Sequence, residues 1–323
     1  MNVLGITYAA LAALCWAIAP ILLKKGLTGM SRVQMLTART VTFAGSVTLF
    51  SCMEGVPLNG PPSFELLFLI GTVVLSGNVL GDLAYFRAIQ QIGASRAVAI
   101  ACSYPIFVIL GSTVWLGEPM TPSVVLGTVL IVGGLILLRG GIWTPRKGAR
   151  DQDRDGSQTD GDHHPAEHRS AEERAAMRSG FFFAILTAFS WGCALLLQKW
   201  LISERHIAPV TVTLWRSYFL FVLCWSSWVT MELRSGRNPL AIFRLGWKPW
   251  FLASVAGGAG LGAGGYFFAK GLQLIPVSVG TPISATSPLI TALIGVVFLK
   301  ETVTILQWIG ICVVSVGVLV VSL

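Results

Sequence analysis

The order of residues between Trp16 and Glu118 is repeated between Trp191 and Glu301. Trp16 and Lys24 match Trp191 and Lys199 at a shift of 175, and Arg39 matches Arg216 at a shift of 177. Arg87, Pro105 and Glu118 match Lys270, Pro288 and Glu301 at a shift of 183. A duplication of this length confines the chain to two copies of one structural unit packed on each other.

Each copy is strongly apolar. Hydrophobic residues make up 54% of the 323-residue chain and charged residues 12%, about half the ~25% charged content of a soluble globular domain. Apolar runs of about 20 residues, enough to span a bilayer core, recur along nearly the whole sequence. This composition excludes a large soluble helical protein. In lipid each run must be a helix, which satisfies its own backbone hydrogen bonds. The first copy reads as spans 3–23, 33–53, 65–88, 95–116 and 122–139, the second as 180–201, 209–231, 248–271, 279–299 and 303–322. An odd number of crossings per copy makes the second enter from the opposite side. The predicted fold is an all-α membrane protein of ten transmembrane helices, arranged as two inverted five-helix repeats.

The boundary between the copies is a change of composition. Residues 141–178 hold seven Lys/Arg, eight Asp/Glu and three His, too few apolar groups to bury a core. They read as a solvated linker between halves 1–140 and 179–323, disordered except for a short exposed helix at Ala166–Arg178. His163, His164 and His168 lie in this linker and His206 near a helix end, so no membrane metal centre is expected. The six cysteines form no CxxC pair and read as small buried hydrophobes. Ala17-Ile18-Ala19 has the spacing of a signal-peptide cleavage site, but no basic region precedes it and its counterpart lies mid-chain, so the first span reads as a structural helix.

The net charge of +8 comes from Lys and Arg clustered at span ends, where they reach the headgroups. No aromatic-interleaved basic patch points to nucleic acid; the lipid bilayer and a small-molecule substrate are the expected partners. Lys24, Lys25, Arg32, Arg87, Arg96, Arg234, Arg237, Arg244 and Lys248 crowd one set of loops together with the linker. The opposite set has Lys199, Arg205 and Lys270. The positive-inside rule then puts the linker in the cytoplasm and both termini outside.

The ordered marks of each copy resemble the EamA repeat of the drug/metabolite transporter superfamily. In the first copy they are Trp16, Lys24, Arg39, Tyr85-Phe86, Pro105 and Leu116-Gly117-Glu118. The second has Trp191-Gly192, Lys199, Arg216, Tyr266-Phe267-Phe268, Pro288 and Leu299-Lys300-Glu301. Each mark is weak singly; the ordered set, present twice, is specific. Two positions depart from the pattern: Ala17 follows Trp16 where Gly is usual, and Lys300 stands where Gly is usual. The resemblance implies that helices 1–4 and 6–9 enclose a cavity faced by Trp16 and Trp191, with helices 5 and 10 peripheral. It also implies both termini in the cytoplasm, against the charge rule. A C-terminal reporter active only in the cytoplasm decides this: the charge rule predicts silence, the resemblance a signal.

Outside the linker the acids are Glu54, Glu65, Asp82, Glu118, Glu204, Glu232 and Glu301. Asp82 alone lies well inside a span. A carboxylate there costs several kcal/mol unless paired or wetted, which makes it a functional candidate. Asn78 and Tyr85 share its helix face. Arg39 lies at similar depth in helix 2 and is a candidate ion-pair partner, with Arg87 the alternative nearer the surface. Asp82 reads either as a permanent counter-ion or as a proton-coupling or substrate-ammonium site. Its counterpart is Gly265, so either role is asymmetric. Arg39 and Arg216 lie deeper than the other basic pairs and could cradle an anionic or carboxylate group from each side in turn.

Glycine pairs Gly77/Gly81 and Gly260/Gly264 match at a shift of 183 and suit close helix contact. Pro105 and Pro288 interrupt backbone bonding in helices 4 and 9. Ser103, Tyr104 and Ser287 beside them, with Tyr266 in helix 8, complete the candidate cavity wall of Trp16, Arg39, Asn78, Asp82, Tyr85, Trp191 and Arg216. With no nucleotide-binding motif, no intramembrane Ser/His pair, no paired aspartates and no cofactor signature, the expected activity is not enzymatic. It is secondary transport of a small polar metabolite, an amino acid or related solute, by alternating access. The expected direction is efflux from a bacterial cell through its inner membrane, with a proton as candidate coupling ion. The alternatives are an anionic or phosphorylated substrate, or a scaffold or sensor acting through the 141–178 linker. The sequence leaves the oligomeric state open.

Overall fold

The structure is a computed structural model that describes residues 2–27, 29–56, 63–140, 165–287, 289–290 and 305–321. Pro288, Leu299-Lys300-Glu301, His163, His164 and most of the linker lie outside the described residues, as do the side chains of Lys24 and His168. The described chain is helical throughout, with no strand.

In chain order the elements are α1 (Val3–Gly26), α2 (Arg32–Met53), α3 (Phe64–Val73), a π-helical segment π1 (Val74–Gly81) and α4 (Asp82–Ala101). Next come α5 (Tyr104–Trp115), α6 (Pro122–Gly140), α7 (Pro165–Ser203) and α8 (Pro209–Arg234). A 3₁₀ turn at Pro239–Arg244 leads to α9 (Trp247–Val255), a second π segment π2 (Ala256–Gly264), α10 (Gly265–Leu274), α11 (Val277–Ser284) and α12 (Ile305–Val321). Caps set several starts. The Asn2 side chain accepts from the Leu4 and Gly5 amides of α1, and Ser31 and Gln34 form a reciprocal capping box on α2.

Among the described residues, three continuous stretches are long and apolar enough to cross a membrane by length and composition: Phe64–Gly93, Arg174–Ser203 and Trp247–Leu274. They coincide with the predicted spans 65–88, 180–201 and 248–271. Other apolar stretches are shorter, such as Tyr104–Trp115. Large apolar side chains stand on the outer surface, among them Phe64, Val114, Phe182 and Leu319, as a surface bathed in acyl chains allows. The same surface explains a departure from expectation. Cys102 and Cys224 are buried, but Cys52 and Cys312 are exposed, because the lipid-facing side is as apolar as the interior.

Two further differences from the sequence reading concern continuity. The helix expected at 166–178 is no separate element: α7 runs unbroken from Pro165 to Ser203. The span expected at 95–116 is cut at Cys102-Ser103, just before Pro105. Proline cannot donate to the carbonyl one turn back, so the helix restarts there. The second copy breaks at Ala285-Thr286, the same place at a shift of 183.

The π segments also repeat. Shifted by 183, Val74–Gly81 falls on 257–264 and so coincides with π2 to within one residue at its start. A π segment closes i→i+5 bonds and widens the helix. Each lies against the other copy: π1 packs on α7, and π2 on α1 and α2. α6 and α12 pack on each other at backbone distance, a Cβ on Gly127 falling 2.8 Å from the Gly317 carbonyl.

The end of α5 explains Leu116-Gly117-Glu118. Gly117 takes φ +63°, a left-handed turn that glycine adopts without strain. The turn delivers the Glu118 carboxylate to the N-terminus of α11, where it accepts from the amides of Val277 (2.9 Å) and Ser278 (3.0 Å) and from the Ser278 hydroxyl (2.6 Å). Lys199 closes the preceding helix end, donating to the carbonyls of Leu272 (2.7 Å) and Ile275 (3.0 Å). Both contacts satisfy terminal backbone groups that α10 and α11 leave open.

Glu118→Ala should therefore lower stability by about 1–2 kcal/mol, read as a drop in the melting temperature of the detergent-purified protein, with Glu118→Gln intermediate. Gly93, at φ 81° and ψ 156° inside α4, occupies a region reserved for glycine. Gly93→Ala should cost about 1–3 kcal/mol in the same assay, and an unchanged melting temperature would refute the assigned backbone strain.

Candidate functional site

A cavity of about 190 Å³ lies between the two copies, walled by residues of α1, α2, α3, π1, α4, α5, α7, α8, π2, α10 and α11. Among the described residues, neither α6 nor α12 lines it.

Its two tryptophans hold equivalent posts. Trp16 of α1 lies across Gly264 of π2, and Trp191 of α7 lies across Gly81 of π1. A Cβ on Gly264 would come within 2.5 Å of Trp16 Nε1, and one on Gly81 within 2.7 Å of Trp191 Cδ1. Only a residue without a side chain admits an indole this close. Trp16 Nε1–H donates to the Gly260 carbonyl of π2 at 2.8 Å. Trp191 Nε1–H donates to Asp82 Oδ1 at 3.1 Å. The aromatic neighbours follow the same register. Trp191 packs on Tyr85 at 5.1 Å between centroids, and Trp16 on Phe268, the Tyr85 counterpart, at 5.3 Å. Tyr104 meets Trp191 edge-on at 6.3 Å, and its hydroxyl bridges the Thr281 carbonyl (3.2 Å) and the Ser284 hydroxyl (2.9 Å).

The charged groups break the symmetry. Asp82 opens α4 and forms a buried ion pair with Arg39 through Oδ2, the side chains being 8% and 5% exposed. With Trp191 on Oδ1, both carboxylate oxygens have donors. Arg87, the alternative partner, instead lies over the Phe183 ring at 4.6 Å. Arg216, the Arg39 counterpart, forms no ion pair among the described residues, although the Asp82 carboxylate lies within electrostatic reach of it. Its Nη1 donates to Gln198 Oε1 at 2.6 Å, and its guanidinium carbon sits 5.5 Å from the Phe43 ring centroid. Asn78 lines the cavity one turn before Asp82 and is 8% exposed.

Of the sequence candidates, the cavity brings together Trp16, Arg39, Asn78, Asp82, Tyr85, Tyr104, Trp191, Arg216 and Ser287, with Gly77 and Gly260 at its wall. Ser103 and Tyr266 stand elsewhere. The Ser103 hydroxyl turns back to the Ile100 carbonyl at 2.7 Å. Tyr266 precedes Phe268 by two residues, about 200° around the helix. That rotation takes it to α2, where it stacks on Phe50 at 4.5 Å and donates to Glu54. Lys270 joins this cluster, its Nζ 2.9 Å from Glu54 Oε2. Pro105 sits at the break in the fourth span rather than on the wall.

Gln198 and Ser284 were missed. Both line the cavity, and Gln198 is 1% exposed. Two sequence signals could have found Gln198. It lies seven residues after Trp191, on the same helical face, and its counterpart at a shift of 175 is the apolar Leu23.

Similarity to known proteins follows the same pattern of two copies. The sequence profile of the EamA-like transporter family matches residues 3–140 and again 178–323. An "Uncharacterized transporter" of Archaeoglobus fulgidus is 26% identical over 320 residues, covering 97% of this chain and 95% of that protein. The "Probable 4-amino-4-deoxy-L-arabinose-phosphoundecaprenol flippase subunit ArnE" of Proteus mirabilis is 31% identical over 74 residues, 23% of this chain and 63% of that protein. A solved crystal structure of 19% sequence identity superposes with a TM-score of 0.68, covering 98% of this chain and 94% of that one, a likeness of fold. With the profile matching both copies and nearly the whole chain, the protein belongs to the EamA-like transporter family of the drug/metabolite transporter superfamily: a membrane transporter for a small-molecule substrate.

Proposed function

We propose that the chain is a secondary transporter that carries one small polar metabolite by alternating access. Two five-helix halves, 1–140 and 179–323, run inverted to each other and rock about the central cavity, with 141–178 as their tether. The observation that carries this reading is a cavity walled jointly by equivalent residues of both halves, Trp16 with Trp191 and Arg39 with Arg216. A site on a pseudo-two-fold axis can be exposed to either side by exchanging the roles of the halves. The direction of transport is efflux, and the location is the inner membrane of a bacterial cell.

The moving part is the Arg39–Asp82 pair. It ties α2 to α4 across the cavity, with Trp191 of the other half on the same carboxylate. A proton on Asp82 would remove the charge that holds Arg39 within the first half and weaken the Trp191 hydrogen bond that ties Asp82 to the other half. Arg39 of α2 and Arg216 of α8 are the cations that face this carboxylate, so its protonation and the occupancy of the cavity are linked. This is the coupling step of the proposal.

The test is flux in proteoliposomes. A thermal-shift screen of purified protein against amino acids, organic acids, nucleosides and organic cations first supplies a substrate. Asp82→Asn should then lose accumulation driven by a pH gradient while keeping exchange of labelled for unlabelled substrate. Flux in the variant with unchanged dependence on pH would sink the coupling role.

A further inference from the structure

The two halves place an arginine at equivalent posts but give only one of them an acid. Arg39 faces Asp82. Arg216 faces Gly265, which stands at the Asp82 position at a shift of 183. The juxtaposition is physical: a Cβ on Gly265 would lie 2.8 Å from Arg216 Nη2. The guanidinium therefore lies over the backbone where its partner carboxylate would have been attached.

Arg216 is 8% exposed, and its Nε has no hydrogen-bond partner. Gln198 takes one of its five donor positions. The amide nitrogen of Gln198 is also buried without a partner. Asp82, the one carboxylate on the cavity wall among the described residues, already has Arg39 on one oxygen and Trp191 on the other. The wall thus presents two guanidinium charges against one carboxylate. A buried cation left so is expensive, and an anion bound beside it removes the expense.

We infer that Arg216 and Gln198 form an anion subsite that takes the carboxylate of the transported solute beside Gly265, where the protein supplies no acid of its own. A planar carboxylate matches the fork of the guanidinium, and the Gln198 amide nitrogen supplies a further donor. Charge selects among anions. One unbalanced positive charge suits a monocarboxylate, whereas a phosphate ester brings about two negative charges and leaves one unmatched. The solute is therefore a small molecule that brings a single carboxylate to this subsite, in a cavity of about 190 Å³. This rests on the transport reading for its physiological meaning but is tested first by binding alone.

The experiment uses the full chain purified in detergent. Thermal shift and equilibrium binding are measured with propionate, L-lactate and L-alanine, with their primary amides, and with inorganic phosphate. At least one acid should bind, and its amide should bind roughly 10- to 100-fold more weakly, the range for losing a charged hydrogen bond in a buried site. Arg216→Gln should weaken the acid by a similar factor. Gly265→Asp is the sharper variant, because it supplies the missing carboxylate from the protein itself. It should keep the fold and abolish acid binding, the crowded atom being the movable end of a side chain. Amides binding as well as acids, phosphate outcompeting every acid, no acid binding at all, or acid binding untouched by Gly265→Asp would each overturn the subsite. Flux separates this from the parent reading. Acids that bind as described but do not cross proteoliposomes refute transport and leave the subsite standing. Exchange of a neutral solute that is indifferent to Arg216→Gln does the reverse.

Discussion

The carboxylate of Asp82 is the point on which the arrangement turns. It joins α4 to α2 through Arg39 and to α7 through Trp191, so one side chain fixes elements from both copies. A charge buried this deeply is tolerable only while its partners stay in place, and removing one partner of such a pair typically costs about 3–5 kcal/mol. The rest of the cavity conforms to it. Trp191 can reach Asp82 because Gly81 has no side chain in the way, and Tyr85 and Tyr104 pack on the indole so held.

Much of this was legible in the sequence because the duplication supplies its own control. Matching the copies located the deep arginines, the paired tryptophans and the paired glycines, and isolated Asp82 as an acid without a counterpart. The depth argument for Arg39 and Asp82 needed only helix geometry. What the sequence hid was rotation. Tyr266 was grouped with Tyr85 as part of an aromatic run, yet Phe268 is the true match, and two residues of offset turn a cavity residue into a contact between α10 and α2. Gln198 was hidden for the opposite reason: comparison of copies favours shared residues, and Gln198 matters by differing from Leu23. Glu118 was read as a helix-end acid, but its work is done 159 residues away on the Val277 amide, a pairing that no local pattern encodes.

The polar ties between copies share a character. Glu118 on the amides of α11 and Lys270 on Glu54 each join a side chain of one copy to a helix end or a side chain of the other. Such bonds can be exchanged for water at a membrane surface with little net change, since a hydrogen bond contributes only about 1 kcal/mol net. The close contacts of tryptophan on glycine and of α6 on α12 are of another kind, shape against shape, and are lost by any small separation. Fastenings at the helix ends are therefore reversible, while the interior contacts act as discrete seats.

The mismatch of Asp82 with Gly265 has a consequence for energy as well as for charge. Two identical halves that exchange roles would give two arrangements of equal free energy, each occupied half the time. A carboxylate present on one side only removes that degeneracy, and every 1.4 kcal/mol of difference skews the populations about tenfold. If the halves do exchange roles as proposed, an ion pair in one half and an arginine without an acid of its own in the other would give the chain a preferred resting arrangement. A solute that supplies the missing negative charge would bring the two arrangements back toward balance.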